Sequence, residues 1–151
     1  MSEIQRIADQ HRRAFDGHAW HGPHVFEVLE GVDADLAARK PIPKAHSIWE
    51  IVLHIRVWEE VVLRRIRGEA FDPTPKEDWP AVPDTSPKAW LQALAALRET
   101  HDELQREIAK TPEKRLEELA PRSKRTLYIL MHGAVEHALY HAGQIAVLRK
   151  G

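Results

Sequence analysis

Four stretches of this chain carry apolar side chains at helical spacing, and no stretch alternates as a half-buried strand would. Ile4, Ile7, Ala8, His11 and Phe15 recur at helical intervals and predict a helix over 3–16, ended by Asp16-Gly17. Ile51, His54, Trp58 and Val61 mark a second helix. It opens at Ser47-Ile-Trp-Glu50, where hydroxyl and carboxylate can satisfy amides that a helix start leaves unpaired, and it stops near Arg67-Gly68. Ser86-Pro87 opens a third: an N-cap, then a proline where a missing N–H is no loss. Trp90, Leu94, Leu97, His101, Leu104 and Ile108 form its stripe, and Thr111-Pro112 ends it. The fourth runs from about Ser123 or Thr126 to Lys150, with Leu127, Leu130, Ala134, His137, His141, Gln144 and Leu148 on one seam. Residues 17–46 read as irregular, with short helical turns at Val25–Glu30 and Asp35–Arg39. Prolines 73, 75, 80, 83 and 87 make the second connection too proline-rich for regular structure. A connection that long crosses between elements or shapes a site.

Four long helices in 151 residues imply an all-α four-helix bundle forming one domain over 1–151. The net charge of −1 favours neither nucleic acid nor an anionic membrane. No apolar run approaches the ~18 residues of a membrane span, and the first residues lack the apolar core of a signal peptide. The expected location is cytoplasmic. The absence of cysteine excludes disulfides, thiolate metal sites and a cysteine nucleophile.

What remains for chemistry is the set of ten histidines. His137 and His141 fall four apart on the fourth helix, their Cβ atoms about 6 Å apart on one face. His54 lies on the stripe of the second helix. Two readings fit this pattern: core imidazoles satisfied by hydrogen bonds, or ligands of a metal. Gly143 in mid-helix, at a cost of roughly 1 kcal/mol relative to Ala, asks for a compensating close approach of a helix or ligand. Gln144 adds a polar group to the seam. The residue after His137 is Ala138, so the His-Glu-x-x-His arrangement is absent, and no Glu-x-x-His for a di-iron site occurs. Neutral imidazoles suit zinc, nickel or iron(II), and three protein ligands leave positions open. His11 and His101 read as hydrogen-bonded core residues. His18, His21 and His24 read as loop residues around Trp20, with Trp20 and His21 candidates for a site mouth. His46 reads as closing the turn before the second helix, His132 points away from the seam, and Glu113–Glu118 reads as a solvated charged face.

The chain resembles the DinB-like superfamily of metal-binding four-helix bundles. Matching stretches are Ala19-Trp-His-Gly-Pro23, His46-Ser-Ile-Trp-Glu-Ile-Val-Leu-His54-Ile, Arg67-Gly-Glu69 before Asp78-Trp-Pro80, and Met131-His-Gly-Ala-Val-Glu-His137-Ala-Leu-Tyr-His141-Ala-Gly-Gln-Ile145. The resemblance implies an up-down-down-up bundle with a long crossover between helices two and three. It implies one divalent ion, nickel or zinc, held by His54, His137 and His141. Related branches place a Glu where His137 stands, so this is the all-histidine version. It also implies a small-molecule substrate, a homodimer, and thiol-dependent S-transfer with a low-molecular-weight bacterial thiol such as bacillithiol or mycothiol. The loop Trp20–His24 and the crossover around Trp79 would wall the site. A metal-dependent hydrolase and a non-catalytic metal-binding stress-response protein are the alternatives.

Overall fold

The computed structural model of the protein describes residues 1–151, and its regular elements are all helical. In chain order they are α1 (Glu3–Asp16), α2 (Val25–Leu29), α3 (Ala34–Ala38), α4 (Ile48–Ile66), α5 (Pro75–Asp78), α6 (Pro87–Lys110) and α7 (Leu127–Leu148). The long helices start where their caps dictate. Ser47 Oγ accepts from the Glu50 amide at 3.1 Å, and the Ser47 amide donates to the Glu50 carboxylate at 2.7 Å. Such a cap contributes about 1 kcal/mol. Thr126 caps α7, which settles the start left open between Ser123 and Thr126.

One segment differs from expectation and another gains detail. The proline-rich crossover contains α5, because Pro75 occupies the first helical position and Thr74 and Glu77 form a capping box around it. The charged run after α6 holds a 3-10 turn, Glu113–Arg115, in which Arg115 donates to the Ile66 carbonyl at 3.0 Å and ties the end of α4. Gly143 also needs a different account. Nothing lies within 4 Å of where its Cβ would sit, so no neighbouring helix requires the glycine. It lines an open groove beside His141 instead.

α6 and α7 each pack against both α1 and α4. Arg56 meets Thr100 and Arg67 meets Glu103 and Glu107, so α4 and α6 run the same way. Asp16 meets Arg98 while Ala8 meets Gln105, so α1 runs against α6. Parallel α4 and α6 force the crossover to travel back along the helices, and this return carries α5 across α4. The buried apolar residues form two groups, one around Phe15, Ile51, Leu97 and Ile145, the other around Ile7, Ile66, Leu104 and Met131. His11, Glu59 and His101 fall between the two groups on α1, α4 and α6, and all three are buried. A polar layer therefore interrupts the core at one level.

Candidate metal centre

His54 on α4 and His137 and His141 on α7 meet at the edge of this layer. His137 Nε2 lies 3.0 Å from His54 Nε2 and 3.1 Å from His141 Nε2. The surroundings fix where the protons sit. His54 Nδ1 faces two acceptors of Asp78, the carbonyl at 2.9 Å and the carboxylate at 3.0 Å, so it carries the proton and Nε2 presents a lone pair. His141 Nδ1 faces Gln144 Oε1 at 2.6 Å, while the Gln144 amide nitrogen donates to Tyr140, so Nε2 of His141 also presents a lone pair. His137 Nε2 stands between these two lone pairs. It can bring one proton, enough for one of them; with its proton on Nδ1, three lone pairs converge. Either way at least one lone pair is left for a proton or a cation to satisfy.

Protonation meets that need poorly. Burial, then the neighbouring His141 and His54, push His137 from 6.5 down to about 3. Burial also holds His141 below the ordinary imidazole value, against the hydrogen bond it donates to Gln144. The donor set thus fits a metal ion: neutral imidazoles, with the tautomers of His54 and His141 fixed by acceptors at Nδ1. Because metal binding competes with protons, acidification should release an ion bound here. The depressed values shift this competition, so half-release in a pH titration of bound metal is expected below 6.5. Half-release above that value would contradict the assignment.

The crossover supplies much of the support. Trp79 stacks on His54 with ring centres 3.8 Å apart, and His46 stacks on the other face of Trp79 at 3.5 Å. Trp58 Nε1 donates to the Asp78 carboxylate at 2.7 Å, holding it against His54. A cavity of about 560 Å³ opens from the three histidines between α4 and α7. A wider depression of about 780 Å³, lined by Asp16, His18, His24, Phe26 and Arg98, lies elsewhere. There Arg98 is already paired with Asp16 and stacked on Phe26, and no lone pairs converge.

A second cluster, His11, Glu59 and His101, also has metal-ligand composition. Its hydrogen bonds give it a different character. The Gln105 amide nitrogen donates to the Ala8 carbonyl, so Oε1 faces His11 Nδ1 at 2.7 Å and requires a proton there. His11 Nε2 meets the Glu59 carboxylate at 2.9 Å. Both ring nitrogens of His11 therefore donate. Burial alone would lower the His11 pKa, but the Glu59 charge and the hydrogen bonds that His11 donates to Glu59 and Gln105 raise it. Burial alone would raise Glu59, but the His11 charge and the hydrogen bonds from both histidines lower it. This is a buried imidazolium–carboxylate pair. His101 joins it at 3.3 Å, with its own pKa lowered by burial.

Trp20 and His21 lie apart from the histidine cavity, and Trp20 is fully exposed. The site mouth is walled by the crossover and not by that loop. His132 turns away from the ligand face and packs on Tyr128, its buried Nε2 without a partner. Asp78 and Glu59 escaped sequence reasoning. Asp78 had a usable signal in its place beside Trp79, whereas Glu59 had none, since a glutamate in a helix reads as solvated.

Helices this long around a polar layer, with three histidines converging from two of them, restrict what the chain is similar to. No curated protein and no solved structure matches it significantly. The DinB superfamily family model matches residues 20–145, from the loop before α2 to the last turns of α7, and the chain belongs to the DinB superfamily.

Proposed function

We propose that this protein is a metal-dependent enzyme built on an up-down-down-up four-helix bundle, with one divalent ion, nickel or zinc, held by His54, His137 and His141. The observation that supports it is the convergence of three Nε2 atoms, short of protons, on the wall of an open cavity. A divalent ion there would supply Lewis acidity, lowering the pKa of a thiol or water that reaches it. The protein supplies the rest. Asp78 and Gln144 fix the tautomers, Trp79 and Trp58 hold the ring of His54 and its partner, and the α4–α7 cavity admits a small molecule.

Transfer of a low-molecular-weight thiol to an electrophile is the favoured reaction, because it needs no dedicated base once the thiol is ionised. A second reading, metal-dependent hydrolysis, draws on Glu136, a carboxylate beside His137 that lines the same cavity. Incubation of the metal-loaded protein with a thiol and an electrophile, with free thiol followed over time, separates these readings. Faster thiol consumption than with metal-free protein is expected. Equal rates would overturn thiol transfer and leave hydrolysis as the reading.

A further inference from the structure

The cavity that meets the three histidines is a trench with unlike ends. His54 and Arg65 both line it from α4. Eleven positions separate them, roughly 16 Å along a helix axis. On the α7 side it is lined from Arg125, just before the helix, to His141. Its middle is lined by Val61, Val62, Leu130 and Ala134, and by Gly133, whose Cβ position meets nothing within 4 Å.

The charges along it are segregated. At the histidine end, Asp78 is committed to His54 and Trp58, and Glu136 sits beside His137. At the far end are two arginines. Arg65 is nearly buried, donates to the Phe71 carbonyl and pairs with Asp72. Arg125 is exposed and its guanidinium has no partner. A glycine in mid-helix costs roughly 1 kcal/mol relative to Ala. No packing requires Gly133, and as a glycine it keeps the trench floor free of a side chain.

Resting on the metal reading above, we infer that the trench binds an elongated anion: an apolar body over Gly133, a carboxylate or similar group at Arg125, and the reacting atom at the histidines. Arg125 and Gly133 are then specificity-determining residues. Arg125 contributes a charge-assisted hydrogen bond, weakened by its exposure. Gly133 contributes space.

Titration calorimetry of the zinc-loaded full chain with three thiols tests this: mercaptoacetate, ω-mercaptoundecanoate and the uncharged ω-mercaptoundecanol. The long carboxylate should bind about tenfold more tightly than the alcohol of equal length. Arg125→Ala should erase that difference and leave mercaptoacetate unchanged. Gly133→Leu should weaken both long probes and spare mercaptoacetate; the open space at its Cβ lets the variant fold. Equal binding of the two long probes, or an equal loss of both in Arg125→Ala, overturns the trench assignment while mercaptoacetate binding keeps the metal reading intact. Failure of mercaptoacetate to bind the zinc-loaded protein overturns both.

Discussion

Changing Glu59 to Ala is expected to destabilise the protein by about 3–5 kcal/mol near pH 6, the cost of leaving one member of a buried ion pair without its partner. For a chain of this size that corresponds to a fall in Tm of roughly 6–20 °C. The reason is positional. Glu59 is 2% exposed and accepts from His11 of α1 and meets His101 of α6, so three helices converge on one carboxylate. Without it, His11 is an imidazolium in a core that has no other anion beside it.

The pH dependence distinguishes this from simple loss of packing. Glu59 has a folded pKa below 4.5, so its contribution is present above that value and lost as pH falls through the depressed one. His11 has a folded pKa above 6.5, so its contribution is fully present below 6.5 and lost as pH rises through the raised one. The pair therefore stabilises most between about 4.5 and 6.5. In Glu59→Ala the damage should shrink at pH 8, where His11 sheds its proton at little cost. Thermal melts of both proteins at pH 6 and pH 8 check this, and a pH-independent difference would contradict an ion pair. Replacing Glu59 and His11 together with Leu should cost less than Glu59→Ala alone, because no unpaired charge remains.

Why this pair escaped the sequence, while the metal ligands did not, is a matter of where the information lies. The long helices are written locally, in the capping residues Ser47, Glu50, Ser86 and Thr126 and in the spacing of apolar side chains. His137 and His141 share a face within one helix, and His54 repeats the pattern on another, so their convergence was legible. Glu59 takes its partners from α1 and α6, far away in the chain, and a helical glutamate carries no mark of the imidazoles that will surround it. Asp78 and Trp79 sit between prolines that obscured α5, and only the return path of the crossover sets them against His54. Gly143 was legible only in part. Its cost is local and visible, but of the two compensations it asks for, a close helix and a ligand, the folded chain removes the first.

The other large effect concerns the ligands. His137→Ala with His141→Ala should remove divalent metal binding altogether, since two of three donors vanish and Gln144 loses the imidazole it orients. The metal-free variant should not be much less stable than the metal-free parent, because it discards lone pairs that the cluster's own protons cannot all satisfy. The difference appears on adding zinc. At a hundredfold excess over Kd, binding stabilises the folded parent by about 2.7 kcal/mol, a rise in Tm of several degrees that the variant should not share.

Elemental analysis of the purified, dialysed protein beside the His137→Ala, His141→Ala variant tests the central claim. Roughly one divalent ion per chain is expected in the parent, as a single three-histidine site requires, and essentially none in the variant. A parent that cannot be loaded with any divalent metal, or a variant that retains the full complement, would contradict it.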